Sequence, residues 1–438
     1  MQLLVSYIVG GESLLSVKGT QFYQDDKPFF YLADTCWSAF TNITLEEWNY
    51  YLDYRASQGF NSVQINILSQ WDASQSDLNM WPFPRKQNGI HYTYDYSQIN
   101  PAYFDRAEKM LEMVRDHGMT PALVLLWSNY VPGTWASKMA VNNLFPFDEL
   151  AAYVAYATRR FKPYNPIYFV SGDTDFPTEE TIKYYAEVLR VAKENDPDAL
   201  YSLHIKGRLA ELPKQFYDQV DFFSYQSGHN LAGQSTAYTI PLQLRKEGFD
   251  RPIVDTEPCY EQISYSRNIY GRYSARDVRK ASWSAVLSGA NAGITYGAHG
   301  IWSWHRQGRK FGVVEGEGFD DPFDWRDALH FDGANDIAFL KHTVMTDFPN
   351  GIQAVRVQMK DSSIRVGVNP MQTRYAIYLP SNTRLDLAEL HLNQDNSHAR
   401  VIDLQTRQVR PLTIQSHWLQ QSRAEADALV IIDMNKGE

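Results

Sequence analysis

The chain has 438 residues, 44% hydrophobic and 21% charged, with a net charge of −10. That length suits a barrel of roughly 250 residues with a smaller second domain, and the composition is that of a globular protein. The negative charge argues against nucleic acid or an anionic membrane as partner, and no apolar run approaches the roughly 20 residues of a membrane helix.

Residues 16 to 28 predict a small hairpin with an Asp-Asp-Lys turn that covers the bottom of a barrel. Strand one follows at Phe29 to Ala33. Helix one starts after Thr44, with Glu47 three residues on as a capping box, and Gly59 ends it. Strand two, Ser62 to Leu68, alternates Val63, Ile65 and Ile67. A long loop from Ser69 to Asn100 then carries Trp71, Trp81, Phe83, Tyr94 and Tyr96, and long ordered loops are usually functional. Helix two runs from Pro101 to His117, strand three from Pro121 to Trp127, and helix three to about Phe161. Strand four is Ile167 to Val170, helix four Glu179 to Asn195, strand five Leu200 to His204 and strand six Asp221 to Tyr225. A helix near Pro241 to Glu247 precedes strand seven, Pro252 to Asp255. Helix seven, opened by Ser274 with Asp277 as its capping partner, leads to strand eight at Gly293 to Tyr296. One last helix is expected over Trp325 to Val344.

This alternation predicts a (β/α)₈ TIM barrel, an α/β fold, over residues 1–348. The remaining residues, 349–438, carry short β-patterned runs separated by turn residues and predict a small all-β sandwich domain.

The chemistry of such a barrel lies at the C-terminal ends of its strands. Two carboxylates stand there: Asp173 after strand four and Glu257 after strand seven. Cleavage of a glycosidic bond needs one carboxyl to protonate the leaving oxygen and a second to attack the anomeric carbon or activate water. Asp173 and Glu257 are therefore the candidate catalytic pair. Asp175, Asp255 and Glu261 compete; the first reads as a loop cap and the second as a buried supporting group. Polar and aromatic residues at other strand ends are candidates for binding sugar hydroxyls and ring faces: Asp34, Trp37, Gln64, Asn66, Trp127, His204, Tyr225, Gln226, His299 and Trp302. His229 also follows strand six.

Other chemistries lack their signatures. No His-x-His follows strand one, and no Gly-x-Gly-x-x-Gly, Walker loop or Gly-x-Ser-x-Gly elbow occurs. No metal and no organic cofactor are expected. The cysteines, Cys36 and Cys259, exclude a disulfide scaffold and are expected as free thiols. Met1 to Leu15 shows neither a basic n-region nor a small-residue cleavage site, so a cytoplasmic location is expected.

Four stretches resemble the apiosidase-like (β/α)₈ glycoside hydrolases: Asp25 to Trp37, Tyr54 to Asn61, Gly172-Asp173 and Asp255-Thr-Glu-Pro258. That family often carries a C-terminal β-sandwich assigned as collagen-binding. The resemblance spans nearly the whole chain and implies a retaining glycosidase with a carbohydrate substrate. It places the acid/base at Asp173 and the nucleophile at Glu257. The strand-four tail reads Ser171-Gly-Asp173 where the family usually has Gly-Gly-Asp. The rival reading is a catalytically silent carbohydrate-binding protein on the same fold.

Overall fold

A computed structural model describes residues 14–435 apart from 89–90, 141–142, 268, 313–317, 358 and 422, so most of the Met1 to Leu15 stretch lies outside the described residues. Eight parallel strands form the barrel: β1 (Tyr31–Thr35), β2 (Ser62–Asn66), β3 (Thr120–Trp127), β4 (Ile167–Gly172), β5 (Tyr201–Ser202), β6 (Phe223–Tyr225), β7 (Ile253–Asp255) and β8 (Gly293–Tyr296). Their order around the sheet is β5-β4-β3-β2-β1-β8-β7-β6. The gap between β5 and β6 is bridged by Asp221 N donating to Tyr201 O (2.8 Å) and Ser202 Oγ donating to Phe222 O (2.7 Å). Every residue of β3 and β4 is buried, as expected of strands packed on both faces.

The helices form where the sequence signals lie. Thr44 and Glu47 make a reciprocal capping box at the start of Leu45–Gln58, and Gly59 ends that helix with φ 96°. Ser274 and Asp277 do the same for Ala275–Val286. The single helix expected after β8 is instead two, Trp325–Ala328 and Gly333–Asp347. The break lies where Glu261 Oε2 accepts from Gly333 N (2.9 Å), tying the second helix's first turn to the loop after β7. A Cβ on Gly333 would overlap that carboxylate.

The expected hairpin is a three-stranded sheet, Ser16–Lys18, Gln21–Gln24 and Lys27–Phe29. Its Phe22 is fully buried against Phe222 (ring centroids 5.3 Å) and Tyr31 (6.4 Å), closing the barrel's N-terminal end.

After Asp347 the chain becomes all-β. A six-stranded sheet and a three-stranded sheet enclose a second apolar cluster. Alternation within the paired strands Arg374–Leu379 and Ala428–Met434 divides the work. Ile377, Leu379, Val430 and Ile432 face the second cluster, whereas Ala376, Tyr378, Leu429 and Ile431 join the barrel's core. Polar clasps reinforce the joint. Arg279 reaches Asp336 (2.8 Å) and Asp427 (2.5 Å), and Asp427 also accepts from Tyr378 Oη (3.1 Å). Cys36 and Cys259 are both buried and free. Among the described residues no helix is long and apolar enough to cross a membrane.

Candidate active site

A cleft opens at the C-terminal end of the barrel strands. Glu257, two residues past β7, lies in it with only 6% of its surface exposed. His229 Nε2 is 2.9 Å from Glu257 Oε1. His204 Nε2 is 3.2 Å from Oε2, out of line for a hydrogen bond, so the contact is electrostatic and Oε2 keeps no protein hydrogen-bond partner.

The backbone fixes the tautomers of both imidazoles. His204 Nδ1 accepts from Asp173 N (3.0 Å), and His229 Nδ1 accepts from Tyr260 N (3.3 Å). With Nδ1 occupied as an acceptor, each neutral ring carries its hydrogen on Nε2, facing the carboxylate. Burial alone would raise the Glu257 pKa. The Nε2–H groups of His204 and His229, both facing the carboxylate, outweigh it and hold the carboxyl below the usual glutamate range.

Asp173 reaches the cleft from the other side of His204. Its backbone sits in the left-handed region at φ 48°, which costs a non-glycine residue of order 1–3 kcal/mol. Two hydrogen bonds hold it there: its N–H donates to His204, and its carbonyl accepts from Trp135 Nε1 (2.8 Å). The preceding Gly172 is demanded by packing, since a Cβ there would run into the Trp127 ring. The Ser-Gly-Asp tail of β4 thus lays an indole against the backbone and turns the next carboxyl into the cleft.

Aromatic rings line the walls. Trp37 meets Trp127 edge to face (5.0 Å) and donates to Tyr260 Oη (3.0 Å); Trp71 meets Trp135 at 5.9 Å. Trp302 is held by His299, whose Nδ1 accepts the indole N–H (3.1 Å). Lys206 and Arg208 add positive charge on the wall beyond β5. Four buried polar atoms without a protein hydrogen-bond partner gather here: Trp127 Nε1, His204 Nε2, Gln226 Oε1 and Glu257 Oε2. Buried polar groups are normally satisfied, so such a gathering marks where a polar ligand sits.

Of the sequence candidates, Asp173, Glu257, Trp37, Trp127, Gln226 and Trp302 line the cleft. The other six do not. Asp34 points into the helix layer, fully buried, where it pairs with Arg55 Nε (2.5 Å) and accepts from Tyr51 Oη (2.9 Å); a sugar contact would require breaking that pair. Gln64 lies inside the barrel, bonded to Tyr31 Oη (3.3 Å), Thr35 Oγ1 (3.1 Å) and Thr256 O (3.0 Å). Asn66 donates to Gln70 Oε1 (3.0 Å). Tyr225 points outward, its hydroxyl donating to Ala237 O (2.7 Å) in the helix Thr236–Lys246. His204 and His299 lie beneath the cleft and hold Glu257 and Trp302. Among the competing acids, Asp255 accepts from Ser227 Oγ (2.7 Å) and Glu261 from Tyr296 Oη (2.6 Å), while burial raises both to about 7. Asp175 accepts from Trp135 N (3.2 Å), a loop-capping role.

Several cleft residues fall outside the candidate pair and its binding set: His229, Tyr260, Asp72, Trp71 and Trp135. Tyr260 had a signal, standing three residues past Glu257. Asp72 and Trp71 open the aromatic loop after β2, whose length marked it as functional.

An aromatic cleft over two carboxyl residues at the ends of β4 and β7 is the arrangement of a sugar-cleaving barrel. The model of the apiosidase-like catalytic domain matches residues 17–349, and the chain belongs to that family; it is a glycosidase. Among solved structures, a glycoside hydrolase superposes with a TM-score of 0.77 at 18% identity, covering 98% of each chain. A family 5 glycoside hydrolase from Bacteroides vulgatus ATCC 8482 gives 0.77 at 20% identity, covering 97% of this chain and 93% of that one. The likeness includes the sandwich as well as the barrel. No curated protein sequence matches the chain.

Proposed function

We propose that the protein hydrolyses an oligosaccharide or glycoside with retention of anomeric configuration, with Glu257 as nucleophile and Asp173 as acid/base. The observation that carries this reading is the shared imidazole. His204 binds the Asp173 backbone through Nδ1 and faces the Glu257 carboxylate through Nε2, so one ring sets both carboxyl residues. Two Nε2–H groups keep Glu257 ionised in a nearly closed site, as a nucleophile requires, and Oε2 has no hydrogen bond to lose on attack. Asp173 is half-buried and open to the cleft, where it can protonate the departing oxygen and then deprotonate water.

The test is a panel of aryl glycosides, one per sugar configuration, with product anomers read by NMR. The glycoside that is cleaved should first give product of retained configuration. Asp173→Ala should slow substrates with poor leaving groups by about 10²- to 10⁴-fold while sparing activated ones, and azide should restore its turnover with retention. Azide adducts of Glu257→Ala should be inverted. Retention from that variant would remove Glu257 from the nucleophile's role.

A further inference from the structure

Asp72 is a third acid in the cleft, and neither half of the proposed reaction uses it. It is half-buried in the cleft wall, in the loop after β2. Its Oδ1 accepts from Gln70 Nε2 (2.7 Å). Gln70 is itself buried, and its Oε1 accepts from the fully buried Asn66 (3.0 Å). A relay of two enclosed side-chain amides thus runs from the end of β2 to one oxygen of a carboxyl group. Each amide is oriented by the next, so the rotamer of Asp72 is set before any ligand arrives. Trp71, its chain neighbour, is packed edge to face on Trp135 and anchors the loop. Such a relay is more than a surface loop needs, and it ends in the cleft that holds Glu257.

We propose that Asp72 is a specificity-determining residue that accepts a hydrogen bond from a hydroxyl of the sugar held against Glu257, presented for that purpose by the Asn66–Gln70 relay. This rests on the glycosidase reading of the cleft. A carboxylate accepting from a sugar hydroxyl makes a charge-assisted bond, and a site built around it discriminates strongly against a sugar lacking that hydroxyl. The electrostatics supply a second readout. Burial raises the Asp72 pKa to about 6; the Gln70 hydrogen bond opposes the rise, the Glu257 charge adds to it and His229 opposes it. The other charged groups on the cleft walls are Asp173, Lys206 and Arg208. As acceptor, Asp72 acts in its ionised form, so kcat/KM rises with pH through about 6.

The experiment uses the full chain and the aryl glycoside that it cleaves. Asp72→Asn keeps the size of the side chain and an oxygen for Gln70. It should lower kcat/KM by about 10- to 100-fold and abolish the limb near pH 6, uncovering the lower limb set by Glu257. Gln70→Ala removes a donor that favours the ionised form, so its limb should move to higher pH. On a series of monodeoxy aryl glycosides, wild type and Asp72→Asn should converge for the one sugar that lacks the bound hydroxyl. A variant with wild-type kcat/KM and an unchanged limb overturns the assignment, as does an equal loss on every deoxy sugar. If wild type cleaves no glycoside, the reading of the cleft fails first and this role with it.

Discussion

The ends of β1 and β7 each carry a buried carboxylate with nitrogen partners, yet the two are held in opposite ways. Asp34 meets the permanent charge of Arg55 and the hydroxyl of Tyr51, and its Oδ1 accepts from Thr35 N (2.9 Å). Both oxygens are spent, and the group is sealed between the barrel and the helix Leu45–Gln58. Glu257 meets two imidazoles held by backbone N–H groups, and one of its oxygens has no hydrogen-bond partner. A carboxylate locked by a guanidinium stabilises structure; one held ionised by neutral donors, with an oxygen to spare, can react. Burial and strand-end position do not tell them apart. The remaining valence does.

Removing Glu257 gives the largest expected effect. Glu257→Ala should lower kcat by about 10⁴-fold or more, because the covalent step of the proposed mechanism has no substitute, while the melting temperature stays within a few degrees of wild type. Loss of folding instead would make Glu257 a second Asp34. Arg55→Met tests the other end. It strands the Asp34 charge, so denaturant unfolding should show a loss of about 3–5 kcal/mol, with kcat per folded molecule nearly unchanged. A selective loss of activity at full stability would erase the distinction.

A smaller effect is expected at Gly172→Ala. The added methyl must displace the Trp127 ring, costing about 1–3 kcal/mol of stability by calorimetry and raising KM more than it lowers kcat. The smallest concerns the imidazoles. Glu257 has a depressed pKa, so it stays ionised throughout its ordinary titration range and protonates only as pH falls through the lower, folded value. In the Asp72→Asn background, where that limb is exposed, adding His229→Ala should move it up by about one pH unit, since a donor to the ionised form is lost. A limb that does not move would leave His229 no electrostatic part.

Much of this was legible in the chain. β8 falls where the pattern put it, and the capping boxes at Thr44 and Ser274 set their helices because they are local interactions within one turn. The positions of Asp173 and Glu257 followed from counting strands. Asp34 and Tyr225 were misjudged because a strand alternates its side chains between the interior and the helix layer, whereas Gln64 does face the interior but spends its amide on Tyr31, Thr35 and Thr256. Near a strand's end, a shift of one residue moves a side chain from one to the other. Which helix residue waits outside, as Arg55 does for Asp34, is a contact between segments 21 residues apart and has no local signature.

The sequence by itself determined the barrel, the sandwich and the two carboxyl residues at the ends of β4 and β7, because periodicity and capping act over a few residues. Only the tertiary structure decided how each carboxylate is held. That depended on His204 and His229 arriving from β5 and β6 and on backbone N–H groups choosing their tautomers; the Asn66–Gln70 relay to Asp72 is likewise a product of the fold. Each is an alignment of groups brought together by barrel closure, and hydrogen-bond direction over such distances is set by packing rather than by neighbours in the chain.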